Sequence, residues 1–303
     1  MEIAIMIEGQ NGLNWARWQK IVHLVEELRF IGLYRSDHFT NGSAPDLDSL
    51  ELWTSLTWLA SHTKRLEFGP LVTPFSFRHP AFTARMAVAV DDLSGGRLTL
   101  GMGAGWQDRE HNLFGFDLLE PGPRYDRFEE GLEVVTRLLQ SDDPVTFDGN
   151  YYLVHGGVLL PRPQRKGGPR ILIGGDGGKR MRSLIVKHAV EWNCVMLLPN
   201  VFAKRNQLLT EALIAARRDP KSVRRSMMTN CTFGKDESAL KEKLAARKCT
   251  VEELQARGAV AGNPDQVQSQ LQVLEEAGVQ RVMLQWLDLD DLEGLEALAK
   301  SVL

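Results

Sequence analysis

Residues 3–37 read IAIMIEGQNGLNWARWQKIVHLVEELRFIGLYRSD. Ile3 to Ile7 is an apolar run of the length of a buried strand. After Asn14, a residue type that caps helices, Trp15, Trp18, Ile21, Val22, Val25 and Leu28 recur at the spacing of one helix face. Gly32 ends that helix, and Leu33 to Asp37 forms the next strand. A helix-long connection between two strands joins them in parallel, because an antiparallel pair needs only a tight turn.

The same alternation continues outward. Asp48 with Glu51 three residues on reads as a capping box, opening a helix through Leu52, Trp53, Leu56 and Leu59. Leu66–Thr73 reads as a third strand, Ala81–Val90 as a helix and Arg97–Gly103 as a fourth strand. Pro123 then starts a helix carrying Tyr125, Phe128, Leu132, Val135 and Leu139. Further strands are expected at Arg170–Gly174, Asn193–Leu198, Met227–Phe233 and Gln280–Trp286. The helix after Asn263-Pro264 has a cap, a first-turn proline and Gly278 at its end. Between Asp142 and Pro169 the pattern lapses into Gly- and Pro-dense sequence with Tyr151 and Tyr152 together, too little for a core of its own. Eight strand–helix repeats suit a closed barrel or an open doubly wound sheet, and the count favours closure. The expectation is an α/β chain forming a single (β/α)8 TIM-type barrel, one domain over 1–303, with an insertion at 142–169.

Composition narrows the partners. The 303 residues are 43% hydrophobic and 25% charged, with a formal net charge of −3 and no basic stripe for nucleic acid or an anionic membrane. No run reaches the roughly 18 apolar residues of a membrane helix. MEIAIMIEGQ lacks the basic start and long apolar core of a signal peptide. Cys194, Cys231 and Cys249 are odd in number and unevenly spaced, so reduced thiols in a cytoplasmic protein are expected. The seven histidines show no H-x-H or H-E-x-x-H spacing and the cysteines no C-x-x-C, so no metal is expected.

In such barrels chemistry sits on loops beyond the strands' C-terminal ends. Asp37-His38 follows the second strand; an imidazole beside an acid can orient a ligand or move a proton near neutral pH, or the pair can merely satisfy loop backbone. In Gly69-Pro70-Leu71-Val72-Thr73-Pro74 two prolines remove ladder donors, so the strand is expected to end in a bulge or bend. Gly101-Met102-Gly103-Ala104-Gly105-Trp106 is not the dinucleotide fingerprint, and its glycines are expected to let something flat pack on the backbone. Gly174-Gly175-Asp176-Gly177-Gly178 leads straight into a helix, whose N–H groups and dipole suit a phosphate.

Taken together these segments resemble the luciferase-like flavin-dependent oxidoreductases. The recurrent pieces stand in order: S-D-H-F at 36–39, G-P-L-V-T-P at 69–74, F-R-H-P at 77–80 and D-D-L-S-G-G-R-L-T-L-G-M-G-A-G-W at 91–106. Glu110 with F-G at 114–115, P-R-P-Q at 161–164, I-G-G at 173–175 and H-A-V-E-W-N at 188–193 follow. Within the family the chain is similar to members assigned to the deazaflavin coenzyme F-420.

The resemblance implies a barrel with the cofactor ring in its mouth and a non-prolyl cis peptide at Leu71–Val72 behind that ring. It places Asp37, His38, Leu71, Val72, Thr73, Gly103, Ala104, Gly105 and Trp106 at the ring, and Gly174, Gly175, Asp176, Gly177 and Gly178 at the phosphate. Arg78 and Arg97 become structural ion-pair partners. His38 is the expected proton carrier, with Asp37 orienting it. Sugar-phosphate dehydrogenases of this family carry G-T-G-E where this chain has G-A-G-W, so Trp106 stands in place of their acid. The expected activity is hydride transfer between F-420 and a small organic substrate, with a homodimer as an allowed assembly. The alternatives are an FMN monooxygenase supplied by a separate flavin reductase, and a non-catalytic flavin-binding relative.

Overall fold

The computed structural model describes residues 1–303. Twelve strands follow one another along the chain: β1 (Glu2–Ile7), β2 (Gly32–Arg35), β3 (Glu67–Pro70), β4 (Thr73–Pro74), β5 (Thr99–Gly103) and β6 (Val145–Asp148) come first. They are followed by β7 (Leu153–Gly157), β8 (Arg170–Gly174), β9 (Glu191–Val195), β10 (Arg224–Phe233), β11 (Val260–Gly262) and β12 (Arg281–Trp286). The chain divides into two compact units: Met1–Glu8, Trp15–Tyr34 and Gly174–Leu303 in one, Gly9–Asn14 and Arg35–Ile173 in the other.

In the first unit the strands run β2-β1-β12-β10-β9, with β11 on β10. The pairs β1–β12, β10–β12, β9–β10 and β10–β11 are parallel. Residues 3–7 and all of β12 are buried, as parallel strands covered on both faces require. The helix Trp15–Glu27 buries Trp18, Ile21, Val22 and Val25 of the expected stripe, while Trp15 at its start is exposed and Leu28 lies past its end. At the N-terminal ends of the strands, Arg281 is fully buried and its guanidinium meets Glu2 at 2.7 Å, Glu191 at 3.5 Å and the Tyr34 hydroxyl at 2.7 Å. β11, a three-residue strand, has no pattern long enough to be read from sequence.

In the second unit β5 lies between β8 and β4, both pairs parallel, and Phe68 of β3 bridges to Leu98. The expected third strand is broken into β3 and β4 on either side of Leu71–Val72, whose peptide bond is cis. Pro70 and Pro74 lack N–H groups, while the Leu71 N–H donates to the Arg35 carbonyl at 2.6 Å. Glu51 rather than Asp48 caps the helix Leu52–His62, its carboxylate accepting the Thr54 N–H at 2.6 Å. Asp48 instead accepts from the Asn14 side chain at 3.2 Å. Arg97 directs its guanidinium at the Ala60, Thr63, Leu66 and Ser94 carbonyls. The insertion forms the antiparallel hairpin β6–β7. Its turn hangs on Glu130, whose carboxylate accepts the N–H groups of Asn150, Tyr151 and Tyr152 at 2.8, 2.8 and 3.2 Å.

Candidate functional site

The loop beyond β2 assembles in the second unit. Ser36 Oγ accepts the Gly9 N–H at 3.0 Å and donates to Gln10 Oε1 at 2.9 Å, holding the strand end. Asp37 is buried, and its Oδ2 accepts from Thr73 Oγ1 at 2.7 Å and from Arg78 Nη1 at 2.5 Å. Arg78 Nη2 reaches Asp37 Oδ1 at 3.2 Å and Glu51 Oε1 at 3.1 Å. Arg78 is therefore an ion-pair partner, and Asp37 serves it and Thr73.

The acid at His38 is Glu110, not the expected Asp37. Glu110 is 1% exposed; its Oε1 lies 2.8 Å from His38 Nδ1 and its Oε2 accepts the Phe39 N–H at 2.8 Å. Side chains adjacent along an extended chain leave in opposite directions, so Asp37 and His38 do not meet. A carboxylate oxygen at this distance suits the tautomer that carries its hydrogen on Nδ1, with Nε2 as the other ring nitrogen able to exchange a proton.

Glu110 rides on the short helix Asp108–Phe114, which is not among the elements expected from the sequence. Its signals are the acids Asp108 and Glu110 in the first turn and Gly115 closing the end at φ 73°. Gln107 Nε2 donates to the Thr40 carbonyl at 2.9 Å, and Arg109 grips Asp46 at 2.6 and 2.9 Å and the Asn41 carbonyl at 3.0 Å. Phe39 wedges among Phe77, Phe114 and Phe116 at ring distances of 5.0, 4.8 and 5.3 Å. Trp106 stands edge-on to His38, 5.6 Å between ring centres, and is 65% exposed.

Packing against the third strand requires the glycines before Trp106. A Cβ on Gly101 would lie 2.1 Å from the Pro70 carbonyl oxygen, and one on Gly103 would lie 2.4 Å from Val72 Cγ2. They admit the broken third strand. Gly105 sits at φ 86°, and its carbonyl accepts from Arg124 at 3.2 Å.

The Gly174–Gly178 turn belongs to the first unit. The Gly175 N–H donates to the Asn193 carbonyl at 2.9 Å, and the Gly175 carbonyl accepts from Trp192 Nε1 at 2.8 Å. Arg182 donates to the Gly177 carbonyl at 2.8 Å, and the Gly178 N–H donates to Asp176 Oδ1 at 3.0 Å. Gly177 is at φ 73° and a Cβ there would strike the Trp192 ring at 2.8 Å, so this glycine is demanded by packing. Gly178 is the N-cap of the helix Lys179–His188 and brings no side chain to cap it. That start can accept an anion through backbone N–H groups.

No helix is long and apolar enough to cross a membrane. No grouping of three or more His, Cys, Asp or Glu side chains suited to a metal occurs. Burial pushes the Cys231 thiol up to about 12, far from a reactive thiolate.

Comparison with known proteins places this geometry. The chain is 32% identical over 157 residues to the 4-hydroxyprotoasukamycin monooxygenase of Streptomyces nodosus subsp. asukaensis, covering 52% of this chain and 41% of that protein. It is 31% identical over 158 residues to the F420-dependent glucose-6-phosphate dehydrogenase of Kineococcus radiotolerans, covering 50% and 45%. The chain thus spans under half the length of each of these relatives. Among solved structures, an F420-dependent secondary alcohol dehydrogenase holding an F420-acetone adduct superposes with a TM-score of 0.85 at 17% identity. That match covers 99% of this chain and 98% of the other, and gives the chain the TIM-barrel fold. Residues 1–250 match the luciferase-like monooxygenase family, and the chain belongs to that family of oxidoreductases and monooxygenases.

Proposed function

We propose that the chain is an oxidoreductase that moves a hydride between coenzyme F-420 and a small organic substrate, with His38 as proton carrier and Glu110 as its positioning residue. The observation that carries this reading is the His38–Glu110 pair, a buried carboxylate that holds Nδ1 at 2.8 Å. When bound, the deazaflavin supplies a two-electron hydride acceptor or donor. In the oxidative direction a carbinol carbon gives up its hydride while its hydroxyl gives up a proton. His38 Nε2 takes that proton, and Glu110 stabilises the imidazolium through Nδ1–H. The proton then passes to solvent, and the reductive direction runs the same transfers backwards.

The residues fit such a cofactor. Gly178 leaves the first turn of Lys179–His188 without a capping side chain, which suits a phosphate. Leu71, Val72, Thr73 and Gly103, Ala104, Gly105 and Trp106 are assigned to the ring, and Gly174, Gly175, Asp176, Gly177 and Gly178 to the phosphate. Asp37 acts by fixing Thr73 and Arg78. The same observations suit FMN, and the monooxygenase among the relatives favours that second reading, in which a separate reductase supplies the reduced flavin.

Titration of the purified protein with F-420 and with FMN, side by side, separates the readings. Micromolar binding of F-420 alone supports the first, and FMN alone supports the second. Binding of neither leaves a non-catalytic relative.

A further inference from the structure

We infer that Trp106 makes the substrate subsite beside His38 a wall for an uncharged, apolar and preferably planar molecule that carries one carbonyl or hydroxyl group. The inference deepens the oxidoreductase reading and rests on it for the role of His38.

Charge around His38 is already spoken for. Glu110 is committed to His38 Nδ1 and the Phe39 N–H. Asp37 is committed to Arg78 and Thr73, and Arg78 bridges on to Glu51. The arginines that flank Trp106 in sequence are also engaged: Arg109 by Asp46 and the Asn41 carbonyl, Arg124 by the Leu119 and Gly105 carbonyls. A phosphorylated or carboxylated substrate would have to break one of these contacts to find a cation.

Apolar surface, by contrast, is left open. Trp106 touches the His38 ring edge-on and is 65% exposed. Large aromatic surfaces left exposed on a folded chain mark binding sites, and indole prefers flat apolar partners. His38 is the polar group beside this indole, so the reacting oxygen is the one polar group the substrate needs there.

The test is calorimetric binding of acetophenone, cyclohexanone and glucose 6-phosphate to the wild-type protein and to Trp106→Ala and Trp106→Phe. It is run with and without whichever of F-420 and FMN binds in titration, so loss of cofactor binding is seen separately from loss of substrate binding. Trp106 is exposed, so neither variant disturbs the core. The expected result is acetophenone tighter than glucose 6-phosphate by about tenfold or more, a loss of about fivefold to tenfold in Trp106→Ala, and recovery in Trp106→Phe. Glucose 6-phosphate binding as tightly as acetophenone, no binding of either ketone, or a Trp106→Ala variant with unchanged ketone affinity would each overturn the inference.

Discussion

The loop at His38 and the turn at Gly174–Gly178 are built on opposite principles. At His38 every charged side chain holds another: Glu110 holds the imidazole and Phe39, and Asp37 holds Arg78 and Thr73. At the glycine turn the contacts are made by backbone, with carbonyls taking Trp192 and Arg182 and a helix start that lacks a capping side chain. Side-chain constructions give a titrating atom in a set direction and fail when one member is removed. Backbone constructions tolerate change in side-chain chemistry but not in conformation. Each can be broken in its own way.

The largest effect is expected at His38. His38→Asn keeps a hydrogen-bonding group but removes the proton carrier, and turnover should fall about 10²–10⁴-fold. Cofactor affinity, measured on the same preparation, should change far less. Near-normal turnover would reduce His38 to a wall of the site.

Next comes the ion pair. Asp37→Ala leaves Arg78, only 14% exposed, without the carboxylate that meets it at 2.5 and 3.2 Å. Loss of about 3 kcal/mol in denaturant unfolding is expected, because a largely buried charge is stranded. A variant as stable as wild type would show that Glu51 alone suffices for Arg78.

The turn should respond through conformation. Gly177→Ala asks an L-residue to hold φ 73° with its Cβ 2.8 Å from the Trp192 ring. A stability loss of about 1–3 kcal/mol follows, visible as a lower thermal midpoint whether or not cofactor is present. An unchanged midpoint would mean the turn relaxes easily and the contrast with His38 is overdrawn.

The smallest effect is electrostatic. Asp176→Asn keeps an acceptor for the Gly178 N–H while removing a negative charge from the helix start. A phosphate-bearing cofactor should bind about twofold to fivefold more tightly at low salt, with the gain shrinking as ionic strength rises. Equal affinity at all salt concentrations would place the phosphate away from this turn.

The same contrast explains what could be read from the chain. Features set by local chemistry were legible: the strand Arg170–Gly174 has the expected bounds. Asn263 caps its helix with Gln266 as partner, and the Ser36–Phe39 loop follows the second strand. The partner of His38 was not, because Glu110 is 72 positions away and reaches it on a seven-residue helix too short to show periodicity. Proximity in sequence pointed to Asp37, whereas the alternation of side chains along extended backbone separates neighbours. The packing role of the glycines at 101 and 103 was hidden for a related reason: their motif fits a ligand or a neighbouring strand equally well, and only tertiary contact with Pro70 and Val72 reveals the strand.

The hairpin β6–β7 carries a consequence for how this molecule can vary. Its turn is fastened by one carboxylate, Glu130, to three successive backbone N–H groups at positions 150–152. Nineteen of the twenty residue types can offer that N–H, and proline alone cannot. At positions 150–152 the fastening therefore reads the path of the chain and not its spelling, whereas at 149 glycine is required, because a Cβ there would lie 2.4 Å from Glu130 Oε2. A hairpin of different sequence, grafted between the same ends, should dock on Glu130 provided glycine is kept at 149 and no proline falls at those three positions, which makes this segment an interchangeable part on a fixed peg.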